Sequence, residues 1–292
     1  MRADPSEYEL VAPSNLQSVL ALMDREPAAW TPIAGGTDLM VAYAAGKLPA
    51  RNLVSIWNLP ELRGIQVLPD EIRIGAGCTY SDLRNHETIA REFQLLASAA
   101  AWTGGIANQN RGTLGGNIVN ASPAADSLPA LLAYEATLAL VSARGEREVP
   151  YVQFHQGYKK HALAPGELIR TIKLPRTYSA YFSFARKVGA RKAQAISKVC
   201  IAALAKVKNG KIIDARVALG SVAPVPLRLP ETERVLVGQQ PDPALAQVAL
   251  QTVARQIQPI DDIRSTTHYR AAVAANLVAE FVESLCPQAG TQ

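Results

Sequence analysis

The chain has 292 residues, of which 48% are hydrophobic and 19% charged, with a formal net charge of +5 and a pI near 9.1. This composition excludes a disordered chain and predicts about two domains with substantial cores. The basic residues are scattered, so the charge favours attraction of an anionic ligand or partner over nucleic-acid binding.

The cysteines and histidines predict no disulfide framework and no metal site. Cys78, Cys200 and Cys286 lie far apart without a CxxC pattern, and the four histidines lack metal-ligand spacing. The segment MRADPSEYEL has no apolar stretch typical of a signal peptide, and no run of about 18 apolar residues occurs. We therefore expect a cytoplasmic protein that does not span a membrane.

Helices and strands alternate in the first half. Ser14, as an N-cap, and the apolar stripe at helical spacing after it predict a helix. A strand that ends at a glycine pair and a helix from near Thr37 to near Gly46 are predicted next. Strands are predicted in RNLVSIWNL (51–59) and IRIGAGCTY (72–80), and helices in YSDLRNH (80–86), AREFQLLASAAAW (90–102) and SLPALLAYE (127–135).

The second half is richer in strands and closes with two helices. ELIRTIKLP (167–175) and YFSFARKV (181–188) are typical strands, and Asn209 with Gly210 predicts a hairpin turn between two more. Apolar spacing of three and four predicts helices over 244–257 and 268–285. We interpret the chain as α+β with two domains, residues 1–177 and 178–292.

The first glycine segment, TPIAGGTD (31–38), joins a predicted strand to a predicted helix. Glycine can adopt positive φ and has no Cβ, and the first N–H groups of a helix lack intrahelical partners. These properties favour an anion site. The alternative is a turn without a ligand, in which Thr37 and Asp38 cap the helix with their own side chains.

The second segment, TLGGN (113–117), repeats a hydroxyl, two glycines and an amide. Two such segments in one domain are compatible with a pyrophosphate held by N–H donors from both sides without a metal ion. Asp126, nine residues beyond Asn117, could accept hydrogen bonds from ribose hydroxyls or could cap the following helix. The three amides at positions 108–110 have no explanation in the sequence.

Four segments together carry a family resemblance: IAGGTDL, NRGTLGGNIVNASPAAD, GELIRTIKLP and AISKVCIAA, in this order and spacing. They resemble the FAD-binding subunit of the molybdenum hydroxylases, the family of xanthine dehydrogenase, aldehyde oxidoreductase and aerobic carbon monoxide dehydrogenase. The resemblance implies a PCMH-type FAD-binding domain of two subdomains, followed by a C-terminal domain with a small, three-stranded antiparallel sheet and helices. It covers nearly the whole chain.

The resemblance also implies the cofactor contacts. The first segment matches a pyrophosphate loop, the second segment matches another, Asp126 matches a ribose-side acid, Ile169 an apolar contact at the adenine end, and Lys187 a lysine of the flavin pocket. The implied FAD-binding residues are Thr31, Pro32, Ile33, Ala34, Gly35, Gly36, Thr37, Asp38, Thr103, Thr113, Leu114, Gly115, Gly116, Asn117, Asp126, Ile169 and Lys187.

Three positions near the implied flavin depart from the family pattern or have an alternative interpretation. Thr103 stands where the xanthine dehydrogenase branch has an aromatic residue. Lys187 follows Arg186, and a one-residue slip of the strand would exchange their faces, leaving Lys187 exposed. The segment 188–195 carries Arg191 and Lys192 where xanthine dehydrogenases have acidic residues, which we interpret as favouring an anionic reduced flavin or an anionic acceptor.

The implied function is electron transfer within a larger complex. A small subunit with two [2Fe-2S] clusters would supply electrons to FAD, which would pass them to NAD, oxygen or another acceptor. A large subunit with a molybdenum cofactor would hydroxylate a heterocycle, purine or aldehyde, and the complex is expected to be a dimer of heterotrimers. The alternatives are a self-contained FAD-dependent oxidoreductase and a non-catalytic nucleotide-binding module.

Overall fold

The computed structural model describes residues 4–191 and 194–286, which form three packed units in chain order. The first unit contains β1 (Glu9–Val11), α1 (Leu16–Arg25), β2 (Trp30–Ile33), α2 (Leu39–Ala44) and β3 (Asn52–Ser55). Strand β3 lies between β1 and β2 and is parallel to both. The apolar face of α1 packs on this sheet against Trp30 and Val54. The sheet places the end of β2 at the first glycine segment.

Two helix starts in this unit differ from the prediction. Helix α1 is capped by Asn15, whose Oδ1 accepts a hydrogen bond from Ser18 N at 2.8 Å, rather than by Ser14. Helix α2 begins at Leu39 instead of Thr37 and has no buried residue. The glycine segment is therefore longer than expected and leads to an exposed helix.

The second unit is a five-stranded antiparallel sheet covered on one face by helices. Its elements are β4 (Ile65–Val67), β5 (Glu71–Gly75), α3 (Tyr80–Asn85), α4 (Glu87–Glu92), α5 (Gln94–Trp102), α6 (Ile106–Gln109), α7 (Leu114–Asn120), α8 (Ser127–Ala133), β6 (Thr137–Ser142), β7 (Gly145–Pro150), β8 (His155–Gly157), β9 (Lys160–His161) and β10 (Leu168–Pro175). The strand order is β4-β5-β10-β6-β7, and β8 and β9 form a separate hairpin. The buried face carries Ile72, Ile74, Leu138 and Ile172, all fully inaccessible to solvent.

The third unit is an antiparallel sheet backed by helices: β11 (Phe182–Val188), β12 (Val199–Lys208), β13 (Lys211–Gly220), β14 (Leu227–Arg228), α9 (Pro230–Leu236), α10 (Pro243–Gln256) and α11 (Thr267–Ser284). The three expected strands are present, and the two-residue β14 adds a fourth. Asn209 (φ 53°) and Gly210 (φ 72°) form the predicted hairpin turn, because both have the positive φ of a type I′ turn.

The third unit shares a core with the second. Ala202, Leu204 and Ala218 on one face of its sheet pack with the second unit, whereas Ile201, Ala203 and Val217 on the other face pack against the helices α10 and α11. This alternation follows the two-residue period of a strand. The α+β class and the two-subdomain arrangement followed by a C-terminal domain are confirmed.

Candidate functional site

The first glycine segment presents unpaired backbone donors. Strand β2 ends at Ile33, whose carbonyl accepts from Ile56 N at 3.0 Å, and Gly36 then turns the chain with φ 75°. Within the described ranges, the N–H groups of residues 34–38 donate to no protein acceptor. The Asp38 side chain makes no capping bond to α2, so the capped turn considered above does not form at this residue. A row of free N–H groups is the geometry that binds an anion.

The second glycine segment is the start of helix α7, and its backbone donors are occupied. Thr113 Oγ1 accepts from Gly116 N at 3.1 Å, Leu114 N donates to Cys78 O at 2.9 Å, and Gly115 N donates to Ala76 O at 2.9 Å. The expectation that both segments offer free N–H groups therefore fails for the second one. What this segment offers to a ligand is the exposed, side-chain-free surface of Gly116.

Glycine occupies the four positions of the two Gly-Gly pairs for different structural reasons. A Cβ on Gly35 would lie 1.6 Å from the carbonyl oxygen of Arg111, and one on Gly115 would lie 2.7 Å from Ala76 O. These two glycines are required by close contact with protein backbone. On Gly116 a Cβ would meet only Thr113 Oγ1 at 2.8 Å, and on Gly36 the nearest atom is Met40 Cγ at 3.0 Å. Gly36 and Gly116 are thus the glycines that can face a ligand.

The fold brings the two glycine segments into contact. Arg111, just before the second segment, lies with its backbone against Gly35 and donates from Nε to Gly35 O at 3.4 Å. Asn120 at the end of α7 donates to Asp38 Oδ1 at 3.3 Å. The Arg111 guanidinium stacks on Trp57 at 3.8 Å, and Arg63 lies on the same indole ring at 4.2 Å. These contacts fix the two segments side by side.

Asp126 and Lys187 form an ion pair across the domain boundary. Lys187 Nζ lies 2.6 Å from Asp126 Oδ2 and donates to Trp102 O at 3.1 Å, while Ser197 Oγ donates to Asp126 Oδ1 at 2.5 Å. Burial raises the pKa of the Asp126 carboxyl, and the Lys187 and Ser197 contacts oppose that rise. Asp126 makes no side-chain cap to α8, so the capping role is not observed.

The orientation of β11 resolves the question about Lys187. Its side chain is 11% exposed and points toward the second unit, whereas the Arg186 side chain is 59% exposed and pairs with Glu280 at 2.6 Å. Strand alternation separates the two residues. Lys187 is therefore a buried cation at the junction of the domains and not a surface lysine.

Thr103 and Ile169 occupy less accessible places. Thr103 ends helix α5, and its hydroxyl donates to Ala99 O at 2.8 Å. Ile169 lies in β10, is 4% exposed and belongs to the core that also contains Leu114. Ile169 can reach a ligand only through a small surface.

Two of the three amides at 108–110 are explained by local packing. Gln109 is 2% exposed, accepts from Arg84 and donates from Nε2 to Ala101 O at 3.0 Å, and Asn110 accepts from Ser81 Oγ at 2.5 Å. The backbone carbonyl of Asn108 accepts from Gly112 N at 2.6 Å. These bonds hold the turn that precedes the second glycine segment, so the amides of Gln109 and Asn110 are structural.

The loop after β11 lies beside Gly105, two residues beyond Thr103. A Cβ on Gly105 would approach Gln194 Nε2 to 2.8 Å, and Arg191 Nη2 donates to Gln194 O at 2.5 Å. The loop thus contacts the segment after α5. Lys192, the second basic residue noted in the sequence, lies outside the described residues.

A groove of about 620 Å³ lies on the open face of the five-stranded sheet, opposite the covering helices. Arg73, Glu148 and Lys173 line it.

The described part of the chain has no group of three or more His, Cys, Asp or Glu side chains placed to bind a metal ion. Among residues 4–191 and 194–286, each helix is too short or too polar to traverse a lipid bilayer.

Comparison with known proteins agrees with this architecture. The FAD binding domain in molybdopterin dehydrogenase matches residues 6–177, and the CO dehydrogenase flavoprotein C-terminal domain matches residues 184–285. The FAD-binding subunit of xanthine dehydrogenase from Escherichia coli is 30% identical over 264 residues, 88% of this chain and 89% of that protein. The glyceraldehyde dehydrogenase medium chain of Sulfolobus acidocaldarius is 30% identical, covering 92% and 95%.

A solved structure has the same fold along its whole length. A chain of carbon monoxide dehydrogenase from Hydrogenophaga pseudoflava superimposes with a TM-score of 0.92 at 26% identity, covering 98% of this chain and 100% of that chain. The fold and the matches to both family models define an FAD-binding flavoprotein component of an oxidoreductase. The chain belongs to the FAD-binding subunits of the xanthine dehydrogenase and carbon monoxide dehydrogenase type of molybdenum hydroxylase.

Proposed function

We propose that this chain is the electron-transfer subunit of a three-subunit molybdenum hydroxylase. In this proposal two [2Fe-2S] clusters on a small subunit supply electrons, and NAD, oxygen or another acceptor removes them. A large subunit with a molybdenum cofactor hydroxylates a heterocycle, purine or aldehyde. The observation that carries the proposal is the pair of adjoining glycine segments in a chain whose relatives are FAD-binding or medium subunits of dehydrogenases.

The residues of the first segment fit the diphosphate of FAD. Five consecutive N–H groups in residues 34–38 lack protein acceptors in the described part of the chain, and Gly36 adds no side chain. A diphosphate carries negative charge and many acceptor oxygens, which such donors stabilise without a metal ion. Gly116 opposite would allow close approach of the same group, because its only near neighbour is its own cap.

We assign the polar junction between the domains to the rest of the cofactor. Each carboxylate oxygen has about two lone-pair sites, so Asp126 retains capacity to accept from ribose hydroxyls while bonding Lys187 and Ser197. Lys187 uses two of its three donors on Asp126 and Trp102 O. The third is available to a flavin beside Thr103, and FAD there would supply the conversion between one-electron and two-electron transfer.

The assembly and location follow from the same proposal. We propose a dimer of heterotrimers with large and small partner subunits, because a chain that only relays electrons must hold one side of its flavin toward the donor. Arg191 and Lys192 would favour an anionic acceptor such as NAD. We also propose a cytoplasmic location, since Cys78, Cys200 and Cys286 are free thiols.

The decisive experiment is isolation of the native complex by a tag on this chain. We expect FAD, iron and molybdenum in a ratio near 1:4:1, together with two partner subunits, and substrate-dependent reduction of an acceptor. The isolated chain should bind FAD but should not reduce it with any heterocycle or aldehyde. Reduction by the isolated chain alone would instead indicate a self-contained oxidoreductase.

A further inference from the structure

A buried arginine of the last helix joins two segments of the C-terminal domain that contact the first domain. Arg270 in α11 is 3% exposed. Its guanidinium donates to Lys198 O and to Ser221 O at 3.3 Å through Nη1, and to Asp262 Oδ1 at 2.8 Å through Nη2. The planar fork of a guanidinium can hold several acceptors in fixed directions, which a lysine cannot do. Arg270 therefore fixes two separate backbone segments, near residues 198 and 221.

Both segments reach directly to the stretch that carries Asp126. Ser197, beside Lys198 and fully buried, donates its hydroxyl to Asp126 Oδ1 at 2.5 Å. Ser221 N donates to Pro123 O at 2.8 Å, and Ser221 Oγ donates to Ser197 O at 3.0 Å. The C-terminal domain thus holds residues 123–126 at two points, and Arg270 joins those points.

Burying the Arg270 guanidinium costs free energy that apolar packing at the same place would not cost. A buried guanidinium loses its hydration, and apolar residues of similar volume often stabilise a protein as well or better. Ser221 is also held at φ 67°, a conformation that is unfavourable for a residue with a Cβ. The buried guanidinium and the strained Ser221 backbone hold the two segments that bond Pro123 and Asp126, which indicates a role in placing the Asp126 carboxylate.

We propose that Arg270 and Ser197 are positioning residues of the FAD site, which hold Asp126 so that it orients the Lys187 ammonium. The proposal rests on the function proposed above and goes beyond it, because it places two residues of the distal domain in control of the cofactor contacts. Neither residue needs to touch FAD. Their effect passes through Asp126, whose carboxylate bonds both Ser197 and Lys187.

The pH dependence of FAD binding distinguishes positioning from general support of the fold. The groups that face Asp126 are Lys187 from β11, Ser197 from the loop, Tyr80 from α3 and Cys200 from β12. Ser197 bonds the charged carboxylate and so opposes the rise of the Asp126 pKa. Without that hydroxyl, protonation of Asp126 begins at a higher pH and weakens its bond to Lys187.

The test compares Ser197→Ala, Arg270→Met and Arg270→Lys with the wild-type full chain. Val253→Ala is the matched control, since Val253 is a fully buried residue of the same domain in α10 whose apolar side chain makes no hydrogen bond to Arg270, Ser197 or Asp126. We would measure FAD dissociation constants from pH 5 to 8 by flavin fluorescence, with thermal unfolding of each apoprotein. We expect Ser197→Ala and Arg270→Met to weaken FAD binding about tenfold, equivalent to about 1.4 kcal/mol.

The pH profile of FAD binding and the Arg270→Lys variant provide further expected results. In Ser197→Ala the loss of affinity on acidification should begin at a higher pH than in the wild type, and Arg270→Lys should restore part of the affinity lost in Arg270→Met. Val253→Ala should unfold at a lower temperature yet bind FAD normally. If Ser197→Ala and Arg270→Met bind FAD as the wild type does at every pH, the positioning proposal is overturned while the flavoprotein function stands. Failure of the wild type to bind FAD would overturn both.

Discussion

At the scale of single residues, glycines from two similar Gly-Gly pairs of the sequence have opposite roles. Gly35 is bare because Arg111 O occupies the place of its Cβ, whereas Gly116 has near it only the hydroxyl that caps its own helix. The difference depends on a contact between segments about 76 positions apart in the chain. A close approach to protein backbone and one to a ligand thus produce the same sequence motif.

Substitution of the two glycines should separate these roles. Gly35→Ala forces a clash with backbone, so we expect it to lower the free energy of unfolding of the apoprotein by about 3 kcal/mol. Gly116→Val should cost only about 1 kcal/mol, the value of the Thr113 cap, yet abolish FAD retention. Circular dichroism melts and flavin absorbance measure the two effects.

Gly157→Val supplies the control for the glycine substitutions. A Cβ there meets only Lys160 Cδ at an ordinary 3.8 Å, so both stability and FAD content should remain near the wild-type values. Full FAD occupancy in a folded Gly116→Val variant would contradict the placement of the diphosphate at this glycine.

Breaking the Asp126–Lys187 pair should make the free energy of unfolding depend more strongly on pH. Burial raises the native pKa of Asp126 above its ordinary 3.8, so the native state binds this proton more tightly than the unfolded state, and stability falls as pH rises through that interval. Lys187→Met removes the positive charge that opposes this rise of the Asp126 pKa. The pH range over which stability falls, between the unfolded and native pKa values of Asp126, therefore extends upward. We expect a loss of about 3 kcal/mol at pH 8 and a smaller loss at pH 5.

The neighbouring residue on the opposite face of β11 is the control for this charge effect. Arg186→Met breaks the exposed pair with Glu280 and a contact of the guanidinium with the Phe184 ring at 5.9 Å, which together should cost less than about 1 kcal/mol with no trend between pH 5 and 8. Denaturant unfolding at several pH values checks both variants. An equal cost for Lys187→Met at pH 5 and pH 8 would rule out uptake of a proton by Asp126.

At the scale of elements, periodic segments were predictable and the site's supporting contacts were not. Alternating Ile72 and Ile74, or the Asn209–Gly210 turn, reveal themselves through local pattern. Helix α7 does not, since two glycines weaken a helix and its first N–H groups bond to Ala76 and Cys78 on a distant segment. Ser197 and Arg270 act through partners about 70 residues away and leave no local signal.

One helix is fixed to the end of the FAD domain by a bidentate ion pair. Glu92 at the end of α4 bonds Arg176 at 2.7 and 2.8 Å, and the pair lowers the pKa of Glu92 from 4.5 to about 2. A depressed native pKa contributes stability that is present above pH 4.5 and is lost as pH falls toward 2. Glu92→Gln should therefore cost about 1 kcal/mol at pH 7 and progressively less below pH 4.

A second glutamate of the same helix supplies the comparison. Glu87 pairs with Arg91 one turn away, but its side chain is 88% exposed. Glu87→Gln should leave the acid-unfolding curve unchanged. Coincident curves for Glu92→Gln and the wild type at neutral pH would show that the Arg176 pair contributes nothing to stability.

At the scale of the whole molecule, the two domains are joined by a common core and by charges. The C-terminal sheet inserts Ala202, Leu204 and Ala218 into the core of the second unit. Beside them, Glu135 at the end of α8 pairs with Arg216 at 3.2 Å and with Arg228 at 2.7 Å. Separation of the domains would expose apolar surface and break the ion pairs of Glu135, so neither domain is expected to unfold independently.

The full chain should therefore unfold in a single calorimetric transition. Because FAD would contact the first domain and Lys187 of the second, saturation with FAD at about 100 times its dissociation constant should stabilise that whole transition by about 2.7 kcal/mol. Glu135→Ala should broaden the transition or split it, since it removes the acceptor that Arg216 and Arg228 share across the domain boundary. Two transitions in the wild type, only one of which shifts with FAD, would mean that the C-terminal domain neither shares the core cooperatively nor contributes to the cofactor site.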